Sequence, residues 1–345
     1  MKIAIIGLEQ AGKKTLFSLL TGQEVSEHRR PGEVIEGRAL VKDSRVDLLS
    51  KMYHPEKTIY AATDVILCPD ITKGQGDYSW LNETKNSDLI CVVVRDFQSA
   101  EVYHPDGSVN ALRDVDNTLV EFILADLDLV EKRIERIEKD KIKKKADRKS
   151  LLEIEVVKKC REVLEANKPL VSLNLNAEEM EAVEHLSFVT LKPILWCHNV
   201  DEDKVAAASE NEDCFKMSAK IEKEILAMDT PEERQEYLDA LGINDLGVNR
   251  LNRAAYDRLG LMSFYTVGED EVRAWTIKKG TLAPVAGGKI HTDIGRGFVR
   301  VEVMKYDDLM AVGNEQKLKA AGKVSVKGKD YIIEDGDICH FLFNV

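Results

Sequence analysis

The stretch GLEQAGKKT, Gly7 to Thr15, decides how this chain is read. It follows KIAII (Lys2 to Ile6), an apolar run that predicts a strand, and precedes LFSLLTG, which predicts a helix closed by Gly22. A glycine, four residues and then Gly12-Lys13 is the spacing of a phosphate-binding loop joining a strand to a helix. In such a loop the backbone N–H groups of Glu9, Gln10, Ala11, Gly12, Lys13, Lys14 and Thr15 cradle an anion at the positive end of the helix, and Lys13 reaches the β- and γ-phosphates. The residue after that lysine is ordinarily Ser or Thr, whose hydroxyl holds magnesium, but here it is Lys14. At about 4 Å and an effective dielectric near 20, unit charges repel by about 4 kcal/mol, and a divalent ion facing Lys14 feels about twice that. Magnesium is therefore disfavoured at its usual place, unless Lys14 swings out to water and Thr15 shifts in. A plain surface lysine in a shifted loop is the alternative.

Outward from this loop, the length of 345 residues is too great for one average core and implies two or three domains, with 44% hydrophobic content to fill them. The net charge of -12 excludes a uniformly basic nucleic-acid coat while leaving room for a local basic patch. The six cysteines are far apart in sequence, so no zinc or redox pair is implied. Cys197 and His198 are adjacent, but neighbouring side chains on a strand face opposite ways, which argues against a shared metal. The first residues are too polar for a secretory signal and no run approaches a membrane span, so a reduced, cytoplasmic location without membrane contact is expected. His54, His104 and His291 read as surface or structural, because sequence supplies none of them with a carboxylate partner.

Three further runs, LICVVV (Leu89 to Val94), PILWCH (Pro193 to His198) and CFKMS (Cys214 to Ser218), are nearly continuous in apolar character. Strands of that kind suit a parallel sheet covered on both faces, so the fold class is α/β. From Thr118 to Lys139 the apolar residues Leu119, Ile123, Leu127, Val130, Ile134 and Ile137 recur every three or four positions, and the same period resumes at Leu152, Val156, Cys160, Val163 and Leu164. Two antiparallel helices joined near the basic stretch KDKIKKKADRK are predicted, with Lys141 to Lys149 either a solvated turn or a contact for nucleic acid. The last part is β-rich: FVRVEVMKY alternates as a half-buried strand, KVSVKGKDYII predicts a hairpin turning at Gly328, and DGDICHFLFNV closes with a strand.

This order of a phosphate loop, an inserted helical hairpin and the closing FYTVGEDEVRAWTIKKGTLAPVAGGKIHTDIGRGFVRVEVMKYDDL…EDGDICHFLFNV closely resembles the YchF, or Obg-like, ATPases over essentially the whole chain. The resemblance implies a P-loop nucleotide-binding domain at 1-115 and 189-262 with a mostly parallel sheet, an antiparallel helical insertion (coiled coil) at 116-188, and a ubiquitin-like TGS domain at 263-345. It also implies ATP, with GTP as the alternative, slow hydrolysis served by Lys13, and a ribosome or other RNA-rich translation complex as partner. Neither DNA nor membrane is expected, and a monomer is.

The resemblance carries over to particular residues. The family's base-reading pattern N-x-x-E corresponds to NVDE, with Asn199, Val200 and Glu202 at the nucleotide, and the second base loop corresponds to SAK, Ser218, Ala219 and Lys220. Loss of the Lys and Asp of the guanine-reading N-K-x-D loop weakens selection for guanine. The phosphate end departs from the family. The first switch lacks its Thr in HRRPGEVIEGRALVKDSRVD, and the second, PDITKGQGDYSW, has Lys73 where a Gly belongs and is shorter. Thr15 and Asp70 remain as candidates for a magnesium ion. Three readings follow: a slow ATPase, a nucleotide-binding switch or scaffold without turnover, and a ribosome- or RNA-binding protein with a relic loop.

Overall fold

The computed structural model describes residues 1–26, 30, 32–72, 78–141, 148–205 and 214–344. It divides into two units, one of Met1–Arg38 with Asp64–Val248 and one of Ala39–Thr63 with Asn249–Val345.

In the first unit the strands are β1 (Lys2–Ile6), β2 (Ile35–Leu40), β3 (Ala62–Leu67), β4 (Leu89–Asp96), β5 (Ile194–Val200) and β6 (Cys214–Met217), in the order β2-β3-β1-β4-β5-β6. β1 pairs in parallel with β3 and β4, β4 with β5, and β5 with β6. Every residue of β4 from Leu89 to Arg95 is buried, which is why its β-branched run shows no alternation. Because these strands run the same way, their carboxyl ends at Ile6, Leu67, Asp96, Val200 and Met217 share one edge, where ligands bind in open α/β sheets.

Helix α1 (Lys13–Thr21) begins after Gly12, whose φ of 98° belongs to the left-handed region, and ends at Gly22 (φ 70°), whose N–H donates to the Ser18 carbonyl at 2.8 Å. The predicted helical insertion is present as α2 (Ala111–Lys141) and α3 (Arg148–Glu165). Ile123, Val130, Val156, Val157, Cys160 and Leu164 share one apolar cluster, and Arg133 grips Glu153 through two bonds of 2.6 and 2.8 Å. Most of the basic segment between the helices lies outside the described residues. The insertion is welded to the sheet by Phe122, which packs with Trp80, Ile90 and Val92 in a second cluster. Asp126 secures the returning chain: it is fully buried and accepts bonds from the Val189 N–H (2.9 Å), the Thr190 N–H (2.8 Å) and the Thr190 hydroxyl (2.6 Å).

The second unit has a mixed sheet in the order Ser325–Lys327, Phe298–Lys305, Asp337–Phe343, Leu261–Thr266, Glu271–Lys278, Lys57–Ile59. Its last strand comes from the Ala39–Thr63 segment and runs parallel to Glu271–Lys278. The hairpin predicted at Gly328 is not formed. Ser325–Lys327 pairs antiparallel with Phe298–Lys305, while the segment beyond Gly328 turns instead to residues 281–283, with the Ala283 N–H donating to the Tyr331 carbonyl (2.8 Å) and the Ile333 N–H to the Thr281 carbonyl (3.0 Å). Asp337, fully buried, explains the diversion: its carboxylate takes the Tyr331 hydroxyl at 2.8 Å, the Glu334 N–H at 2.9 Å and the Lys305 ammonium at 2.7 Å. His54 and His291 are helix caps here, as a structural reading requires. Among the described residues no helix is long and apolar enough to cross a membrane.

Asp126 gives a direct test of how the insertion is anchored. Asp126→Ala leaves two buried N–H donors without a partner, each worth about 1–3 kcal/mol, so urea unfolding should show a loss of about 2–6 kcal/mol. Asp126→Asn, which keeps one acceptor oxygen, should lose less.

Candidate functional site

The glycine loop leaves the end of β1 along a path that side chains would block. A Cβ on Gly7 (φ 150°) would stand 2.4 Å from the Val93 carbonyl oxygen, and one on Gly12 would stand 2.3 Å from Nδ2 of Asn199. Gln10 also takes a positive φ, 61°. The Ile71 N–H donates to the Gly7 carbonyl (3.1 Å), so the loop lies beside the segment that carries Asp70. Lys13 is the first residue of α1 and only 4% exposed. Its ammonium donates to the Leu8 carbonyl and forms a 2.7 Å ion pair with Asp70 Oδ1. Lys13 therefore sits inside the loop with its charge matched by a carboxylate that is itself half-exposed.

Asn199, at the end of β5, joins this loop to the next. Its Nδ2 donates to the Ala11 carbonyl at 3.1 Å, and its Oδ1 accepts the Ala219 N–H at 3.0 Å. Ser218 and Ala219 are buried where β6 passes into α4 (Ala219–Leu226), and Lys220 is exposed. The structure thus brings together Gly7 to Lys13, Asp70, Asn199 and Ala219. Val200 is buried in the apolar core rather than presented at the surface. Asp201 accepts the Gln98 N–H on both oxygens at 3.2 Å, whereas Glu202 is exposed at the start of the short helix Glu202–Lys204. Of the two acids in NVDE, it is the second that faces solvent.

Lys14 is half-buried and directs its ammonium to the Ser26 carbonyl, 3.4 Å away. His28, Arg29 and Pro31 of the first switch, and Lys73 of the second, lie outside the described residues. Magnesium in this fold class is held by a hydroxyl after the loop lysine and by an acid of the second switch. Here the first is a lysine and the second is bound by Lys13, and among the described residues no group of three or more His, Cys, Asp or Glu could hold a metal. The residues present do not fit the usual magnesium site.

Sequence reasoning missed a polar cluster beside Glu9. Arg95, 3% exposed, donates to the carbonyls of Tyr103 and Val102 at 3.0 Å each and of Phe97 at 3.3 Å, and its guanidinium lies 4.6 Å from the Phe97 ring centre. Burial pushes its pKa down, and the three carbonyls partly compensate for lost water. His104 receives the Asp106 N–H on Nδ1 (3.1 Å), so its proton is on Nε2 and points at Asp114 (2.9 Å). Arg95, His104 and Asp114 line a cavity of about 10 Å³ together with Leu8, Glu9 and Thr118. The carboxylate that completes His104 comes from the first turn of α2, ten residues on, with no motif to announce it.

A strand, a glycine loop and a helix start, tied by an asparagine to the end of a parallel strand two places along the sheet, define the P-loop class of nucleotide-binding proteins. The chain is 39% identical to the ribosome-binding ATPase YchF of Bacillus subtilis (strain 168), covering 99% of this chain and 98% of that one. It is 37% identical to the protein of the same name from Escherichia coli O157:H7, covering 100% and 99%. A solved structure of the Schizosaccharomyces pombe YchF GTPase superposes with a TM-score of 0.83 at 30% identity, covering 99% of this chain and 97% of that one. Residues 261–344 match the family model YchF-GTPase_C, described as a protein of unknown function (DUF933). The chain belongs to the YchF family.

Two measurements probe this geometry. Asn199→Ala should cost about 2 kcal/mol in denaturant unfolding, about 1 kcal/mol for each of its two buried bonds. His198, on β5, is buried and its pKa is lowered by that burial, with Asp96 opposing and Lys216 adding to the effect. Because the folded pKa lies below the ordinary value of about 6.5, the contribution to stability is complete above that pH and is lost as pH falls through the lowered value. His198→Asn should flatten this part of the acid limb in a pH series of melting temperatures.

Proposed function

We propose that this chain binds a purine nucleoside triphosphate in the Gly7–Thr15 loop, as a nucleotide-dependent protein of the translation machinery that hydrolyses its nucleotide slowly. The single observation that carries the reading is the Asn199 bridge, which holds the phosphate loop at Ala11 and the second base loop at Ala219 in one frame. ATP is the nucleotide, with GTP the alternative. Lys13 and the loop amides stabilise phosphate charge; Asn199, Glu202, Ser218, Ala219 and Lys220 surround the base. Phosphate must displace Asp70 from Lys13 on entry, because both anions compete for one ammonium.

The domain division that accompanies this reading is a nucleotide-binding domain at 1-115 and 189-262, a coiled-coil insertion at 116-188 and a ubiquitin-like TGS domain at 263-345. The bacterial relatives are named ribosome-binding ATPases. By relation to them, this chain docks as a monomer on a ribosome or another RNA-rich complex, in the cytoplasm, and not on DNA or a membrane. The basic segment between α2 and α3 is the RNA contact. The second reading, a nucleotide-binding switch without turnover, is favoured by one observation, Lys14 in place of the metal-holding hydroxyl.

Calorimetric titration with ATP, GTP and ADP tests the first part: ATP should bind at least as tightly as GTP, since NVDE lacks the guanine-reading Lys and Asp. A preference for GTP of tenfold, about 1.4 kcal/mol, would overturn it. For the second part, reversing the charges between Lys141 and Lys149 should weaken co-sedimentation with ribosomes, and binding by the unaltered chain should fall steeply with salt. Unchanged sedimentation of the reversed variant would reduce the segment to a solvated turn.

A further inference from the structure

In P-loop proteins the divalent ion does two things at once: it neutralises phosphate charge, and it ties the first switch segment to the start of the helix after the loop. The groups for both tasks are altered here. The hydroxyl that should hold the ion is Lys14, and Asp70 is engaged by Lys13 at 2.7 Å. The chain has no Thr between Thr21 and Thr58, the stretch that contains the first switch. The Lys14 ammonium lies 3.4 Å from the carbonyl of Ser26, four residues past the end cap of α1 and at the entry to that same stretch. Lys13 and Lys14 are neighbours on a helix and so project about 100° apart. Lys13 accordingly turns inward to Leu8 and Asp70, while Lys14 turns toward the segment that follows α1.

We propose that Lys14 is a built-in replacement for the divalent cation: its charge accompanies the bound phosphates, its bond to the Ser26 carbonyl ties the chain just past α1 back to the start of that helix, and nucleotide binds without magnesium. This rests on the nucleotide-binding reading above and specifies how the same site is charged. No covalent step is involved. The consequence is a binding equilibrium that does not respond to magnesium, in a fold whose other members of this class depend on the ion for phosphoryl transfer.

The test is calorimetric titration of the full chain with ATP, once in magnesium and once in EDTA, on the wild type, Lys14→Ser and Lys14→Gln, each first shown to be folded by its melting curve. The wild type should give dissociation constants within twofold of each other in the two buffers. Lys14→Ser restores a hydroxyl, and should bind at least tenfold more weakly in EDTA than in magnesium. Lys14→Gln has neither charge nor metal-holding hydroxyl, and should be weaker than wild type in both buffers; it carries the test should the serine variant fail to fold. Amide hydrogen exchange at residues 22–26 should be faster in Lys14→Gln than in the wild type even without nucleotide, a readout that phosphate affinity alone does not move. Wild-type binding that tightens tenfold or more with magnesium overturns the proposal while leaving nucleotide binding intact, as does a Lys14→Gln variant that binds like wild type in EDTA. A folded wild type that binds no nucleotide in either buffer overturns the nucleotide reading itself, and this proposal with it.

Discussion

Everything at the carboxyl edge of the first sheet is arranged around the side-chain amide of Asn199. A side-chain amide carries its donor and its acceptor on separate atoms, and here Nδ2 donates to the Ala11 carbonyl while Oδ1 accepts from the Ala219 N–H. Both partners are backbone groups of buried loops, where an unmet bond costs more than a formed one returns. The constraint also acts on Gly12, since Nδ2 occupies the place where a Cβ would project. One side chain therefore dictates a glycine in the phosphate loop, the register between two loops more than 180 residues apart, and the start of α4. The close approach of Gly7 to the Val93 carbonyl does the same from the other side, pressing the loop against β4.

Within that frame the charges are unusual in their order. Two adjacent lysines open α1, where the helix already carries a partial positive charge and where acidic residues are ordinarily preferred. Such a start is unfavourable by itself and becomes reasonable when an anion is brought to it. Lys13 has already found one in Asp70, and Lys14 has a carbonyl dipole in Ser26. Both ammonium groups at this helix start are thus engaged by oxygen atoms of the chain itself.

The helical insertion communicates with this edge through packing. Phe122 on α2 lies against Trp80, their ring centres 5.3 Å apart, and Trp80 ends the segment that begins with Asp70. Trp80 is fully buried, its large ring fixed between the insertion and the sheet. At the beginning of α2, Asp114 holds His104 and with it the loop that follows β4. Asp126 fixes the return of the chain near Val189 and Thr190. Three contacts on one helix thus touch the segments that flank the nucleotide edge.

The sequence by itself determined the local elements and the chemistry of the loop. Apolar runs long enough to be buried on both sides specify parallel strands, the three-to-four spacing specifies the two helices, and the glycine spacing specifies the phosphate loop, because each depends only on residues close together in the chain. The identity of Lys14 was equally plain, since a missing hydroxyl is visible without coordinates. Tertiary structure alone decided which way Lys14 points, that Asp201 is taken up by the Gln98 N–H and leaves Glu202 exposed, and that His104 has Asp114 as its carboxylate. It also decided that the segment after Gly328 pairs with residues 281–283 instead of folding back as a hairpin, because the buried Asp337 draws Tyr331 and Glu334 to itself. These outcomes turn on hydrogen bonds between groups distant in sequence or on competition between nearly equivalent acceptors, and periodicity and spacing carry no information about either.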